Sequence, residues 1–365
     1  MKYSFMSFQK SKRMENNVYA LLHNPNHTFV IAEAGSNWKA SDKKSDLRRA
    51  KKMIEIAAKA GADAVKFQIF RAKHVYVSNA GQVNYLKKSG IKDSINDLFS
   101  HLEMDYDMIP KLANYCKKMK IMFMSTPFSV EDAKHIDPFV SIHKIASYEI
   151  NHVKLLEFLS KTKKPIIIST GASTYEEIKF AKKILKQNKI CFLQCTSKYP
   201  APIESLNIST IPEIIKKFNV PGGLSDHSKD PIIAPLLAIG MGGTIIEKHF
   251  TLNKKLNGPD HKYALNPSEL KEMIIAIRSA DLAKGSRTKR IFEEEKELRE
   301  FATRSIQAIK NISKGEILKL GKNIEILRSG NRKRGLDARF IKHVEGKTSF
   351  HDIQNGDGIT NSDFK

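Results

Sequence analysis

The sequence predicts an eight-stranded parallel β/α barrel followed by a small β-rich unit, and three observations carry this. From Phe29 to about Ala283, eight short β-branched runs alternate with amphipathic helical stretches. Strands separated by helices argue for a parallel sheet, and eight such units argue for closure into a barrel. Polar residues gather at the C-terminal ends of these runs, the rim where β/α barrels carry their chemistry. Beyond Ala283 the helical period is lost and short strands and turns take over. A doubly wound open sheet is the structural alternative.

In order, the first strand is FVIAEA (29–34). In the helix after it, Leu47, Ala50, Ile54 and Ala57 recur at helical spacing behind Ser45, and Gly61 stops it. Four further strands are AVKFQI (64–69), IMFMST (121–126), SIHKIA (141–146) and PIIIST (165–170). Ser173 with Glu176 then has the spacing of a capping box. The last strands are ICFLQC (190–195), GGLSD (222–226) and TIIEKHF (244–250); Asn266-Pro267 with Glu269 opens the final helix. The expected organisation is an N-terminal extension (1–28), a barrel (29–283), a charged linker (284–300) and a small β-rich domain (301–365) near the lower size for independent folding.

Composition narrows the function. At 365 residues the chain accommodates a barrel of about 250 residues plus an appendage. The net charge of +23 comes from lysines dispersed along helices without interleaved aromatics, which describes a solvated surface rather than a nucleic-acid footprint. The N-terminal stretch MKYSFMSFQKSKRMENN lacks the apolar run of a signal peptide. The longest uncharged run, 231–246, is shorter than the roughly 18 residues of a membrane span and is broken by Pro235, Gly240, Gly242 and Gly243. Cys116, Cys191 and Cys195 form no disulfide framework or metal-type spacing and read as buried thiols of a reducing compartment, Cys195 as core. A cytoplasmic protein without nucleic-acid or membrane partners is expected.

The strand ends supply the candidate chemistry. Glu33 ends the first run; Lys66 and Gln68 share one face of the second. Ser125-Thr126 close the third; Lys144, Ser147 and Glu149 follow on the fourth; Ser169, Thr170 and Gly171 end the fifth. Thr196, Ser197 and Tyr199 follow the sixth, Ser225, Asp226 and His227 the seventh, and Glu247 and His249 sit on the eighth. Two lysines among hydroxyls and backbone N–H groups can hold a phosphate. Two neutral imidazoles, His227 and His249, suit a divalent metal with positions open to substrate. Glu33 can move protons. Lys66 or Lys144 could instead form a Schiff base, a weaker choice beside a metal-ligand pair.

Read together, IAEAGSN (31–37), GADAVKFQ (61–68), FMSTPFS (123–129), KIASYEI (144–150), ISTGAS (168–173), LQCTSKYP (193–200), GLSDHS (223–228), IEKHFT (246–251) and GPDHKYAL (258–265) resemble, in order, the sialic acid synthase family. ISKGEIL (312–318) and NIEILRSG (323–330) resemble the antifreeze-like (SAF, β-clip) domain of these enzymes. The resemblance implies condensation of phosphoenolpyruvate with an N-acylated hexosamine such as N-acetylmannosamine, with release of phosphate. It implies phosphoenolpyruvate held by Lys66, Thr126, Lys144, Ser147, Ser169, Ser197 and Ser225. It implies Mn²⁺ or Mg²⁺ on His227 and His249, and Glu33 as acid/base. Gln68, Glu149, Tyr199 and Asp260 would face the sugar, with Arg328 of the partner subunit over the N-acyl group in a domain-swapped homodimer.

Some positions depart from the family pattern. Trp38 stands where a His is usual, Ser329 where a Pro is common, and Arg332, Lys333 and Arg334 replace a more neutral run; all are expected at rim or lid, where they would bear on the sugar. The alternatives are a legionaminate-type synthase using a 2,4-diacetamido-trideoxy hexose and, further off, a 3-deoxy-octulosonate phosphate type of barrel. The GPDHKYAL stretch leans away from pseudaminate.

Overall fold

Inward-facing side chains explain the barrel best. In the computed structural model, residues 18–82, 93–286 and 288–365 are described; the start of the N-terminal extension and Arg287 of the expected linker lie outside them. The chain divides into two compact units, residues 1–285 and 286–365.

In the first unit the strands are β1 (Phe29–Gly35), β2 (Ala64–Ile69), β3 (Met122–Pro127), β4 (His143–Ile145), β5 (Ile166–Ser169), β6 (Ile190–Cys195), β7 (Gly222–Asp226) and β8 (Ile245–His249). They form one eight-stranded sheet in the order β3-β2-β1-β8-β7-β6-β5-β4, with every recorded ladder parallel. β3 lies beside β4, so the sheet wraps round on itself. Strand side chains alternate faces. One set (Val30, Ala32, Val65, Phe67, Ile168, Phe192, Leu224, Ile246) packs outward against the helices. The other set fills the interior: Phe29, Ile31, Ala64, Met124, Ile167, Cys191, Leu193 and Ile245 make an apolar floor. One pleat further along the same strands, this inward set turns polar: Glu33, Lys66, Thr126, Lys144, Ser169, Ser225 and Glu247, all buried.

The N-terminal extension has a structural job. A short helix, Val18–Leu22, buries Val18 and Leu22 in the floor cluster, and Leu22 accepts a hydrogen bond from the Thr244 hydroxyl at 2.7 Å. The approach to β1 is tied to the last helix, Pro267–Lys284. Thr28 donates its N–H and hydroxyl to Asp281 at 2.8 and 2.6 Å. Arg278 donates to the Thr28 carbonyl at 2.6 Å and to Asp63 at 2.8 Å, and Asp63 also receives the Val30 N–H at 2.8 Å.

Two helix starts differ from expectation. The helix Lys43–Ala60 is capped by Asp42, whose carboxylate accepts the N–H groups of Lys44 and Ser45, so Ser45 is already helical. The capping box after β5 is Thr174 with Glu177, one residue beyond Ser173 and Glu176. Both shifts reflect neighbouring Asp, Ser or Thr residues competing for one capping role. Asn266, Pro267 and Glu269 do form the cap and box of the final helix.

The second unit contains an antiparallel pair, β9 (Arg304–Ala308) and β10 (Ile324–Arg328), and isolated bridges including Ile317 with Thr348 and Ile312 with Ile353. Its own core gathers Ile306, Ala308, Leu318, Ile324, Val344 and Ile359. Part of the expected linker is ordered as a 3₁₀ turn, Glu293–Glu295, running into a helix, Lys296–Ala302. Among the described residues no helix is long and apolar enough to cross a membrane.

Candidate active site

The polar layer of the shaft is a chain of alternating charges. Lys66 pairs with Glu33 at 2.7 Å, donates to Thr126 Oγ1 at 2.9 Å and lies 3.7 Å from Glu247. Lys144 lies 3.8 Å from Glu247 on the other side, donating to Ser169 Oγ at 2.7 Å and to the Ile145 carbonyl at 2.9 Å. The Ser225 hydroxyl donates to Glu247 at 3.2 Å. Parallel register explains the convergence: Glu33 is level with Lys66 on β2 and with His249 on β8, and Ser225 is level with Glu247.

Burial strengthens the interactions among these charges. Burial pushes the Glu33 carboxyl up to about 7, against the pull of Lys66. Glu247 is equally buried, but Lys144 and Lys66 together outweigh that and hold it below the usual glutamate value. Burial also works against both ammonium groups. At Lys66 the carboxylates of Glu247 and Glu33 overcome it and raise the pKa, whereas Lys144 stays below the ordinary lysine range. Two carboxylates driven apart in proton affinity are the pattern of an acid/base site.

Beside this layer stand the imidazoles, ring centroids 5.5 Å apart. His227 Nδ1 lies 2.9 Å from the Thr196 carbonyl, which can only accept, so Nδ1 carries the proton and Nε2 is left as a lone-pair donor. Burial opposes a further charge on His227, but the Cys195 sulfur 3.8 Å away and the Thr196 carbonyl favour one and raise its pKa. Burial, reinforced by Lys66 and by any second proton taken up on His227, holds His249 well below the usual histidine value and hence neutral. Its Nδ1 is buried without a hydrogen-bond partner, 3.7 Å from Asp260 Oδ2. These features fit a divalent ion held by two imidazoles with other positions open. Among the described residues there is no group of three or more His, Cys, Asp or Glu that would form a closed metal cage.

The remaining candidates divide. A Cβ on Gly171 would fall 2.3 Å from Ser197 Oγ, 3.0 Å from Ser147 Oγ and 3.1 Å from Cys195 Sγ, so the glycine leaves room where three small polar groups meet. Its N–H donates to Ser147 Oγ at 3.0 Å. Gly35, with φ of +53°, turns the chain at the end of β1 where a Cβ would meet Asp260 Oδ2 at 3.3 Å and both Glu33 Oε1 and His249 Cε1 at 3.5 Å. Glu33, Asp260 and His249 therefore line one small space. The Tyr199 ring lies 4.2 Å from that of His227 and 6.3 Å from that of His249. Gln68 is half-buried, level with Thr126 on the neighbouring strand. Glu149 is half-buried, its carboxyl pushed up to about 7 by burial and by Asp132. Arg328 belongs to the second unit, where it ends β10 opposite Arg304 and is exposed.

Trp38, three residues beyond the C-terminal end of β1, is 1% exposed and belongs to the apolar cluster between sheet and helices. Two expectations change, at Cys195 and at Glu247. Cys195 is buried but faces the site against His227 rather than an inert core. Glu247 had no assigned role, yet it is the carboxylate that both lysines and Ser225 converge on. Its two-residue offset from His249 was the available signal. A groove of about 680 Å³ lined by Lys44, Arg48, Lys51, Tyr115 and Leu252 lies elsewhere, along the helix Lys43–Ala60.

The comparisons with known proteins agree with this geometry. The model of the NeuB family matches residues 53–289. The chain is 39% identical over 356 residues to the spore coat polysaccharide biosynthesis protein SpsE of Bacillus subtilis (strain 168), covering 92% of this chain and 93% of that protein. The crystal structure of SpsE superposes with a TM-score of 0.61, covering 93% of this chain and 95% of that one. Identity is 36% over 343 residues to a pseudaminic acid synthase of Campylobacter jejuni subsp. jejuni, covering 92% and 96%. It is 37% over 327 residues to an N,N'-diacetyllegionaminic acid synthase of the same species, covering 88% and 95%. With a family model spanning most of the barrel and relatives this similar along nearly their whole length, the chain belongs to the NeuB family of phosphoenolpyruvate-condensing nonulosonic acid synthases.

Proposed function

We propose that this synthase joins phosphoenolpyruvate to the open-chain form of an N-acylated hexosamine, N-acetylmannosamine being the first candidate. The observation that carries the reading is the buried layer in which Lys66 and Lys144, each bonded to a hydroxyl, flank Glu247 within reach of two imidazoles. Lys66 and Lys144, with Thr126, Ser147, Ser169, Ser197 and Ser225, hold the phosphate and carboxylate of phosphoenolpyruvate, and positioning of the reactants supplies much of the rate. His227 and His249 would hold the divalent ion, Mn²⁺ or Mg²⁺, which when bound supplies Lewis-acid polarisation of the sugar carbonyl. C3 of phosphoenolpyruvate forms the new bond to that carbonyl carbon, and water adds at C2. Glu33, poised near neutrality, takes the proton from this water and returns it to the new alkoxide. Phosphate then leaves by C–O cleavage. Gln68, Glu149, Tyr199 and Asp260 face the sugar.

A second reading, a 2,4-diacetamido-trideoxy hexose as acceptor, is favoured by the similarity to the N,N'-diacetyllegionaminic acid synthase. Incubation with phosphoenolpyruvate, Mn²⁺ and each sugar in turn, followed by phosphate release, separates the two; release with neither sugar would overturn both. We read residues 301–365 as the antifreeze-like domain, with Arg328 of the partner subunit meeting the N-acyl group in a domain-swapped homodimer. Mixing inactive His227→Ala with inactive Arg328→Ala protein should then restore part of the activity. No recovery despite demonstrated subunit exchange would place the small domain's action within one chain or outside catalysis.

A further inference from the structure

Asp226 and Lys248 immediately precede His227 and His249, and they are cross-strand partners in the β7–β8 ladder. The alternation that turns Ser225, His227, Glu247 and His249 toward the shaft turns these two to the outer face of the sheet. Both are 1% exposed. The Lys248 ammonium has three protons and three acceptors: a carboxylate oxygen of Asp226, the Ser228 carbonyl at 2.8 Å and the Ser228 hydroxyl at 3.2 Å. The other Asp226 oxygen accepts the Ser228 N–H at 2.7 Å. Neither side chain has a buried N or O atom left without a partner.

A buried ion pair is a poor way to stabilise a fold, because desolvation cancels most of the attraction and a packed apolar pair does as well. Its strength is geometric. Here it ties residue 248 to residues 226 and 228, one on each side of His227, and so fixes the end of β7 against the end of β8. We propose that the Asp226–Lys248 pair with Ser228 is a positioning device that sets the separation and tilt of the His227 and His249 rings, 5.5 Å and 63°, so that both can reach one divalent ion. It would act through these histidines while touching neither ion nor substrate. The proposal rests on the metal role given to them above.

The test is the paired variant Asp226→Leu/Lys248→Met, which removes both charges and leaves neither unpaired. It is compared with the unmodified protein by thermal melting, by Mn²⁺ titration calorimetry and by ¹H–¹⁵N imidazole spectra of the metal-free protein. The expected result is a melting temperature within a few degrees, shifted His227 and His249 imidazole signals and Mn²⁺ affinity reduced about 10- to 100-fold. Unchanged imidazole signals and unchanged Mn²⁺ affinity would overturn it. Should the pair fail to fold, Ser228→Ala removes one of the three acceptors of Lys248 and leaves the ion pair; a severalfold loss of Mn²⁺ affinity supports the proposal and none overturns it. If the unmodified protein binds no Mn²⁺, the metal assignment itself fails. The imidazole signals of the metal-free proteins then decide the positioning role alone: shifted signals support it and unshifted ones reject it.

Discussion

The floor and the mouth of the barrel are built from the same strands, one or two pleats apart, yet they treat polar groups in opposite ways. Near the floor, Asp63 accepts from Val30, Arg278 and His27, and Asp281 accepts twice from Thr28. At the mouth, Glu33 Oε1, Glu247 Oε2, Ser197 Oγ and His249 Nδ1 are buried with no hydrogen-bond partner. A buried polar group without a partner costs about 1–3 kcal/mol, so a fold tolerates several together only where a bound species completes them. Single buried atoms without a partner also occur near the floor, at His143 Nδ1 and Asn188 Oδ1; what sets the mouth apart is that several such atoms gather in one place.

The two regions should therefore separate under mutation. The largest effect is expected from His227→Ala or His249→Ala: turnover falls by about a thousandfold or more, with the melting temperature unchanged or raised. Retention of full turnover by either variant, or by the unmodified enzyme in excess EDTA, would break the assignment of the mouth.

Glu33→Gln comes next, with kcat down by about 100- to 10,000-fold and the limb of the pH–rate profile near pH 7 gone. The stability changes at the two ends have opposite signs. Glu33 is raised to about 7 in the folded chain, so its contribution is complete below the ordinary glutamate value of 4.5 and is lost as pH rises through 7. Asp63 is shifted the other way: burial works against it, but His27 and Arg278 hold it below 3.8, so its contribution is present above that value and lost as pH falls. Denaturation between pH 3 and 8 should show Glu33→Gln gaining on the parent at the alkaline end and Asp63→Asn losing most there.

Lys66→Ala and Lys144→Ala should act mainly through phosphoenolpyruvate, raising its KM and lowering kcat/KM by about 2–3 kcal/mol in barrier terms for a charged contact each. Borohydride trapping of a pyruvyl-lysine adduct would instead make one of them a Schiff-base residue. The smallest effect on catalysis belongs to the floor. Ile167→Ala removes a fully buried side chain and should cost about 2–5 kcal/mol of stability, with kcat per folded molecule nearly unchanged. A comparable loss of kcat would show that floor and mouth are not separable.

Much of this is legible in the amino-acid sequence. The eight strands fall within about two residues of their expected bounds, because β-branched runs between capped helices constrain local structure strongly. The polar strand ends were visible for the same reason: period-two alternation assigns each residue a face. The structure caps two helices at Asp42 and Thr174, one or more residues before or after the positions the sequence suggests, since adjacent Asp, Ser and Thr residues carry the same signal and only backbone direction chooses among them.

The sequence by itself determined which residues face the shaft and where the rim lies, because both follow from periodicity along single strands. Only the tertiary structure decided who meets whom. Sheet register brings Glu247 between Lys66 and Lys144 from three separate strands and sets Cys195 against His227. Helix packing buries Trp38 in the core cluster, and the Val18–Leu22 helix is drawn under the barrel by apolar burial. Those pairings depend on closure of the sheet, a property of eight strands together that no single strand carries.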